Sequence, residues 1–323
     1  ADDMALYFDT GAKVQNRRLI FAAYAALWKN SRKKRVALRF DRRFMDFFYE
    51  LFQYRFLTHA TLACLLCGLA CGMVGTYVVC RRLVFLSGGI THSSFGGIGI
   101  AYYFGLNPIA GAFCFAVLSA FGIEAFTAGK RIREDSAIGL IWSLGMAVGI
   151  IFVYLTPGYA PNLMSFLFGN ILSVTSSDLI WMGIVDLAIV IVFAVWYRPI
   201  LYVAFDREYA RSQNMPTRLI GYLMSALIAV TIVISIRVVG IVLLISLLTM
   251  PAVIANQLTR SFGRIMAGAS AIGVLGSFAG LYVSYKGDIP SGASTIFILT
   301  LTLIIVKLLP LRDFMRKRDE NGT

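Results

Sequence analysis

Phe205-Asp-Arg-Glu-Tyr-Ala-Arg-Ser-Gln-Asn-Met-Pro216 is a short charged stretch between two apolar runs, at roughly 178–197 and 217–236, each long enough to cross a bilayer. Its residue types suit a short helix. Asp206 is placed to cap it, Glu208 falls in the first turn, Arg211 comes late, Asn214 suits a stop and Pro216 opens the next helix. A solvated connector between two spans fits this composition. So does a short helix on which a soluble partner pushes. Under either reading the flanking runs decide the fold class: spanning helices joined by short polar connections.

Composition agrees. The chain has 323 residues, of which 58% are hydrophobic and 15% charged, with a mean hydropathy of +0.75. A soluble domain of this size needs more polar surface. Runs of about 20 apolar residues recur, and in lipid each backbone must satisfy its own hydrogen bonds, so helices are expected. A membrane β-barrel would show alternating ten-residue segments, and these runs do not alternate. The expected architecture is an all-α polytopic helix bundle of nine spans, at about 57–80, 83–104, 108–128, 136–156, 178–197, 217–236, 240–258, 264–285 and 291–309. Pro157-Gly-Tyr-Ala-Pro161 and a short apolar piece, Leu163 to Leu172, lie between the fourth and fifth. That piece is too short to span; it is re-entrant or lies at the surface.

The net charge of +13 would suggest nucleic acid in a soluble protein, but here the basic residues sit between apolar runs and set topology, so no nucleic-acid partner is expected. One set of connections carries 16 Lys and Arg: Arg81, Arg82, Lys130, Arg131, Arg133, Arg198, Arg207, Arg211, Arg218, Arg260, Arg264, Lys307, Arg312, Arg316, Lys317 and Arg318. The opposite set carries two, Arg237 and Lys286. The positive-inside rule places the group of 16 and the C-terminal tail, 311–323, in the cytoplasm. Nine spans then put residues 1–43 outside, although residues 1–55 hold 12 basic and six acidic side chains and belong inside by the same rule. Either this basic tail is translocated, or the count is off by one, or the chain starts elsewhere. Residues 44–56 read as an amphipathic interfacial segment and 57–310 as the membrane domain.

Few ionisable groups fall within the spans, and each is a functional candidate by its cost in lipid. His59 begins the first span and suits an interfacial role. Glu124 can pair with Lys130 or Arg131. Asp186 either faces a pathway or bonds a neighbouring helix. His92 lies among Thr91, Ser93, Ser94 and several glycines; it either lines a metal pathway or bonds across a helix interface. Cys64, Cys67 and Cys71 share a helical face and read as small packing residues, and no disulfide framework is visible. There is no Gly-x-x-x-x-Gly-Lys-Ser/Thr phosphate loop and no catalytic constellation, so the chain is not expected to be an enzyme. An ion-coupled secondary transporter would need more internal carboxylates than Asp186 and Glu124.

Four stretches, in consistent order over about residues 45–310, resemble the membrane permeases of ATP-binding-cassette (ABC) importers for zinc, manganese and iron. They are Arg81-Arg-Leu-Val-Phe-Leu-Ser-Gly-Gly-Ile-Thr-His-Ser-Ser-Phe-Gly-Gly97; Arg133-Glu-Asp-Ser-Ala-Ile-Gly139; Leu167-Phe-Gly-Asn-Ile-Leu-Ser-Val-Thr175 with Asp178 behind it; and Phe205 through Val239-Gly-Ile-Val-Leu-Leu-Ile-Ser-Leu-Leu-Thr-Met-Pro-Ala252. The resemblance implies a permease without a tightly bound cofactor, carrying a divalent metal ion inward across a bacterial cytoplasmic (inner) membrane. It implies two permease copies flanking a path in lipid, a separate ATP-binding subunit, and an extracytoplasmic metal-binding protein. A permease for a metal chelate or another small solute is the variant reading. Residues 205–215 would be the coupling helix, with Asp206, Glu208, Tyr209, Ala210 and Asn214 at the ATPase contact. His92, Thr91, Ser93, Ser94 and Asp186 would serve the metal pathway, and Asn170, Ser173 and Asp178 the outer entrance. The family often has an Asp four residues before the motif histidine; here that residue is Gly88. A glycine common near the end of the coupling helix is Asn214 here, which also accepts the left-handed conformation.

Overall fold

The computed structural model describes residues 47, 49–128, 133–157, 169 and 171–308. The expected tail 1–43, most of the 163–172 piece, Asn170 and the 311–323 tail lie outside the described residues. The chain divides into two units, 1–55 and 56–323. In the first, residues 49–53 are helical, with Leu51 buried and Tyr49 and Phe52 exposed.

The second unit is helical throughout its regular structure, with no strand among the described residues. In chain order it holds α1 (Arg55–Cys80), α2 (Val84–Tyr103), α3 (Pro108–Ala128), α4 (Glu134–Leu155), a 3₁₀ turn (Ile171–Ser173), α5 (Ser176–Phe205), α6 (Arg207–Ser212), α7 (Thr217–Leu258), α8 (Phe262–Gly287) and α9 (Ser291–Leu308). Seven of these (α1, α3, α4, α5, α7, α8 and α9) are long and apolar enough to cross a membrane. The expected count of nine is not met on that measure, for two physical reasons. The 20 residues of α2 are diluted by glycines and hydroxyls. The expected spans 217–236 and 240–258 are joined, without a loop, in the 42 residues of α7.

A straight helix of that length would run about 63 Å, twice a hydrocarbon core. It is broken at Gly240, with φ 75° and ψ 167°, a conformation that only glycine adopts without strain. The partners along α7 show that the chain turns back there. Gly221 abuts Glu124 and Arg207, and Arg237 at the far end of the first arm pairs with Asp178 at the start of α5. The second arm returns: Ala252 and Ala255 pack with Val79 and Cys80 at the end of α1, and Phe262 beyond it meets Phe205 at the end of α5. The end that gathers Arg81, Arg207, Arg260 and Arg264 is the cytoplasmic one by the positive-inside rule.

Helix α5 also departs from expectation. It does not stop near residue 197 but continues to Phe205 through a kink at Trp196. Pro199 lacks an N–H and its ring crowds the carbonyl four residues earlier, which bends the helix there. At its other end, Thr175 and Asp178 form a reciprocal capping box.

Small residues hold α2 in place. A Cβ on Gly97 would strike the Gly111 carbonyl on α3, and one on Gly99 would strike the Gly149 backbone on α4. Lipid supplies no hydrophobic drive between helices, so packing of this closeness does the holding. Gly97→Val should therefore destabilise the detergent-solubilised protein by about 1–3 kcal/mol, the usual range for overpacking. Gly88→Ala, whose added methyl meets nothing within 4 Å, should leave the melting temperature unchanged. Equal melting of both variants in a fluorescence-monitored unfolding assay would contradict this packing.

Candidate functional site

At the cytoplasmic end, α6 has the caps its sequence suggests. Asp206 accepts from the Tyr209 backbone N–H (2.9 Å), and Asn214 terminates the segment in the left-handed conformation at φ 56°. Pro216 then caps α7. Glu208 has 68% of its side chain exposed and stands 4.0 Å from Arg211, and Tyr209 is also exposed. Ala210 differs from the expectation: it is fully buried, because a six-residue helix on the bundle must turn one face inward and Ala210 is on that face. The outward surface is Glu208, Tyr209 and Arg211.

The first residue of α6, Arg207, reaches Glu124 near the end of α3. Arg207 is thus a partner of Glu124 from another helix, and the expected partners Lys130 and Arg131 lie outside the described residues. Glu124 is only 6% exposed in its side chain and Arg207 30%. Gly221 leaves room for the pair: a Cβ there would sit on Glu124 and 3.2 Å from the Arg207 guanidinium. Close by, Arg81 donates to the Tyr77 hydroxyl (2.8 Å). Burial works against the Arg81 charge, yet Tyr77, Glu134 and Glu124 outweigh it and raise its pKa.

At the opposite end Asp178 is fully engaged. One oxygen accepts from the Thr175 N–H (3.0 Å) and hydroxyl (2.6 Å), and the other accepts from Arg237 (2.7 Å). Its side chain is 11% exposed against 49% for Arg237. Ser173 is exposed in the 3₁₀ turn just before it. His59 donates from Nδ1 to the Val174 carbonyl (3.0 Å), tying α1 to the same segment. A cavity of about 630 Å³ opens beside Asp178 and Arg237, between α3, α5 and the first arm of α7, with Asn107 and Trp181 in its lining.

Within the bundle, the polar candidates separate. Thr91, Ser93 and Ser94 are buried, and each donates its hydroxyl proton to its own helix: to Ser87 O (2.6 Å), Ile90 O (3.0 Å) and Thr91 O (2.6 Å). His92 is half-buried and lies flat on Trp142 of α4, with ring centres 4.6 Å apart and planes within 2°. Asp186 is buried, and its Oδ2 has no hydrogen-bond partner. Cys67 and Cys71 face each other across one helical turn, 3.8 Å between sulfurs, and the five cysteines are free thiols. Among the described residues no three His, Cys, Asp or Glu side chains converge to hold a metal, so His92 and Asp186 do not belong to one closed metal centre.

Residues 53–309 match the model of the ABC 3 transport family. The chain belongs to the ABC 3 transport family. It is a multi-pass membrane permease subunit of an ABC transporter. A manganese transport system membrane protein, MntC, of Halalkalibacterium halodurans is 32% identical over 253 residues, 78% of this chain and 86% of the relative. An uncharacterized membrane protein of Synechocystis is 39% identical over 256 residues, 79% of this chain and 91% of that protein. Among solved structures, PsaBC from Streptococcus pneumoniae in complex with Fab superposes with a TM-score of 0.74 at 26% identity, covering 85% of this chain and 99% of that one. The resemblance carried by the four stretches of sequence therefore holds over most of the ABC 3 permease.

Sequence reasoning missed Trp142, Arg207 and Gly221 as partners. Their contacts cross between helices, and no local spacing encodes them. The stack has an optical consequence. A chain keeping Trp142 as its single tryptophan should lose emission on acidification, because a protonated imidazole stacked on an indole quenches it. His92→Gln should abolish that pH dependence, and pH-independent emission with His92 present would contradict the stack.

Proposed function

We propose that this chain is the permease of an importer that carries a divalent transition metal (manganese, zinc or iron) into the cytoplasm, driven by ATP hydrolysis on a separate subunit. The observation that carries the reading is α6: a capped helix at the cytoplasmic end, its outer face exposed and its base tied to the bundle. Manganese transport by the Halalkalibacterium halodurans relative supports the class of cargo. The protein works in a bacterial inner membrane as a pair of permeases. The ATP-binding subunit seats Glu208 and Tyr209, while Asp206 and Asn214 fix the ends of the helix. A metal-loaded binding protein docks outside, above the segment that includes Asn170, Ser173 and Asp178.

Within the path His92 and Asp186 offer the metal a nitrogen and a carboxylate oxygen in succession rather than a closed cage. A sparse ligand set suits transport, since an ion must leave as readily as it enters. Thr91, Ser93 and Ser94 flank His92 as its polar neighbours, their hydroxyls hydrogen-bonded to backbone carbonyls of α2. Gly88 leaves His92 without a carboxylate one turn before it on α2.

Uptake of radioactive metal by cells under metal limitation tests this. Glu208→Arg should abolish uptake by reversing charge in the ATPase contact. His92→Ala should lower uptake about tenfold, the effect of 1.4 kcal/mol, without loss of assembly. Native uptake by Glu208→Arg would remove α6 from the coupling role, and native uptake by His92→Ala at every metal concentration would reduce His92 to packing.

A further inference from the structure

We infer that the Glu124–Arg207 pair is the strut that carries movement of α6 into the bundle, and that Glu124 is a positioning residue for transport. The inference rests on the coupling role proposed for α6.

Six residues of helix have little grip of their own. α6 is joined through the backbone to α5 at Asp206 and to α7 at Thr217, and it buries only Ala210. Tyr209 meets Tyr202 with the rings tilted by 53° and their centres 5.9 Å apart. Beyond these neighbours, Arg207 gives α6 a side-chain ion pair 83 residues away in sequence, on α3. Separating the pair would leave a carboxylate at 6% exposure without its cation, so Glu124 and Arg207 move as one. Gly221 adds the third element: the absence of a Cβ lets α7 close over the pair, and any side chain there would wedge it apart. The base of α6 is thereby locked to α3 and to the first arm of α7 at one point.

From that point the path continues through contacts that do not yield. Gly111 on α3 meets the Gly97 backbone on α2, leaving no slack between the two helices. Helix α2 carries His92, five residues before Gly97. A push on Glu208 and Tyr209 thus reaches the helix of the candidate metal ligand through one ion pair and one backbone contact. Coupling of this kind needs a contiguous, stiff network, and these residues form one.

The test uses the whole transporter, permease with its ATP-binding subunit and binding protein, in proteoliposomes. Metal uptake and ATP hydrolysis are measured in the same vesicles. Glu124→Gln keeps shape and removes charge. It should retain stoichiometric ATP-binding subunit and continued hydrolysis while metal taken up per ATP falls about tenfold. Arg207→Gln should do the same, and the double variant should be no worse than either single, because both remove one interaction. A native uptake-to-hydrolysis ratio in Glu124→Gln, or a double variant multiplicatively worse than the singles, would overturn the strut. Should Glu124→Gln fail to assemble, Arg207→Gln alone removes the cation and the same ratio is read; a native ratio there overturns the inference equally. Glu208→Arg separates the two levels. If it uncouples transport while Glu124→Gln does not, only the strut fails. If it transports normally, the coupling reading of α6 fails with it.

Discussion

Helices in lipid gain nothing by hiding apolar surface from one another, so close approach of backbones must hold this bundle together. Its glycines provide that approach. Helix α2 nests against α3 at Gly97 and Gly111 and against α4 at Gly99 and Gly149, while α1 meets α8 at Gly68 and Gly72. The same contacts that stabilise the bundle also remove slack, and a body without slack transmits displacement. The presence of His92 and its hydroxyl neighbours on the most glycine-rich helix joins the packing of the bundle to its candidate site.

The two ends are tied differently. At the outer end Asp178 joins α5 to the turn of α7, with a half-exposed Arg237 as its partner. An ion pair of that exposure contributes about 0–1 kcal/mol, so this tie is easily opened. At the cytoplasmic end Glu124 is nearly excluded from solvent, and losing Arg207 would strand it. The two carboxylates are both nearly buried, and what separates the ties is the exposure of their arginines, 49% for Arg237 against 30% for Arg207.

Much of this was legible in the sequence, and the physical reasons are local. Apolar runs mark spans because each backbone must satisfy itself in lipid. Asp206, Asn214 and Pro216 mark the ends of α6 and the start of α7 because caps use near neighbours. What the sequence concealed lies between elements. Gly240 reads alike whether two spans are joined by a loop or folded in one run; only its φ reveals the turn. Glu124 has basic residues six and seven positions on, which drew attention away from Arg207 on another helix. Ala210 has the composition of a contact residue, and only the packing of α6 shows that its contact is inward. The resemblance to metal permeases gave the class of protein before any of these were visible, but it did not give the contacts.

The central claim is that an ATP-binding subunit works this permease through α6. Purification of the chain from its native membrane, with identification of what accompanies it, tests that claim most directly. The account predicts an ABC ATP-binding subunit in equal amount, lost when Glu208 and Tyr209 are replaced together by Arg and Ala. A chain that purifies stably alone, or one that keeps its ATP-binding subunit in full after both replacements, would contradict it.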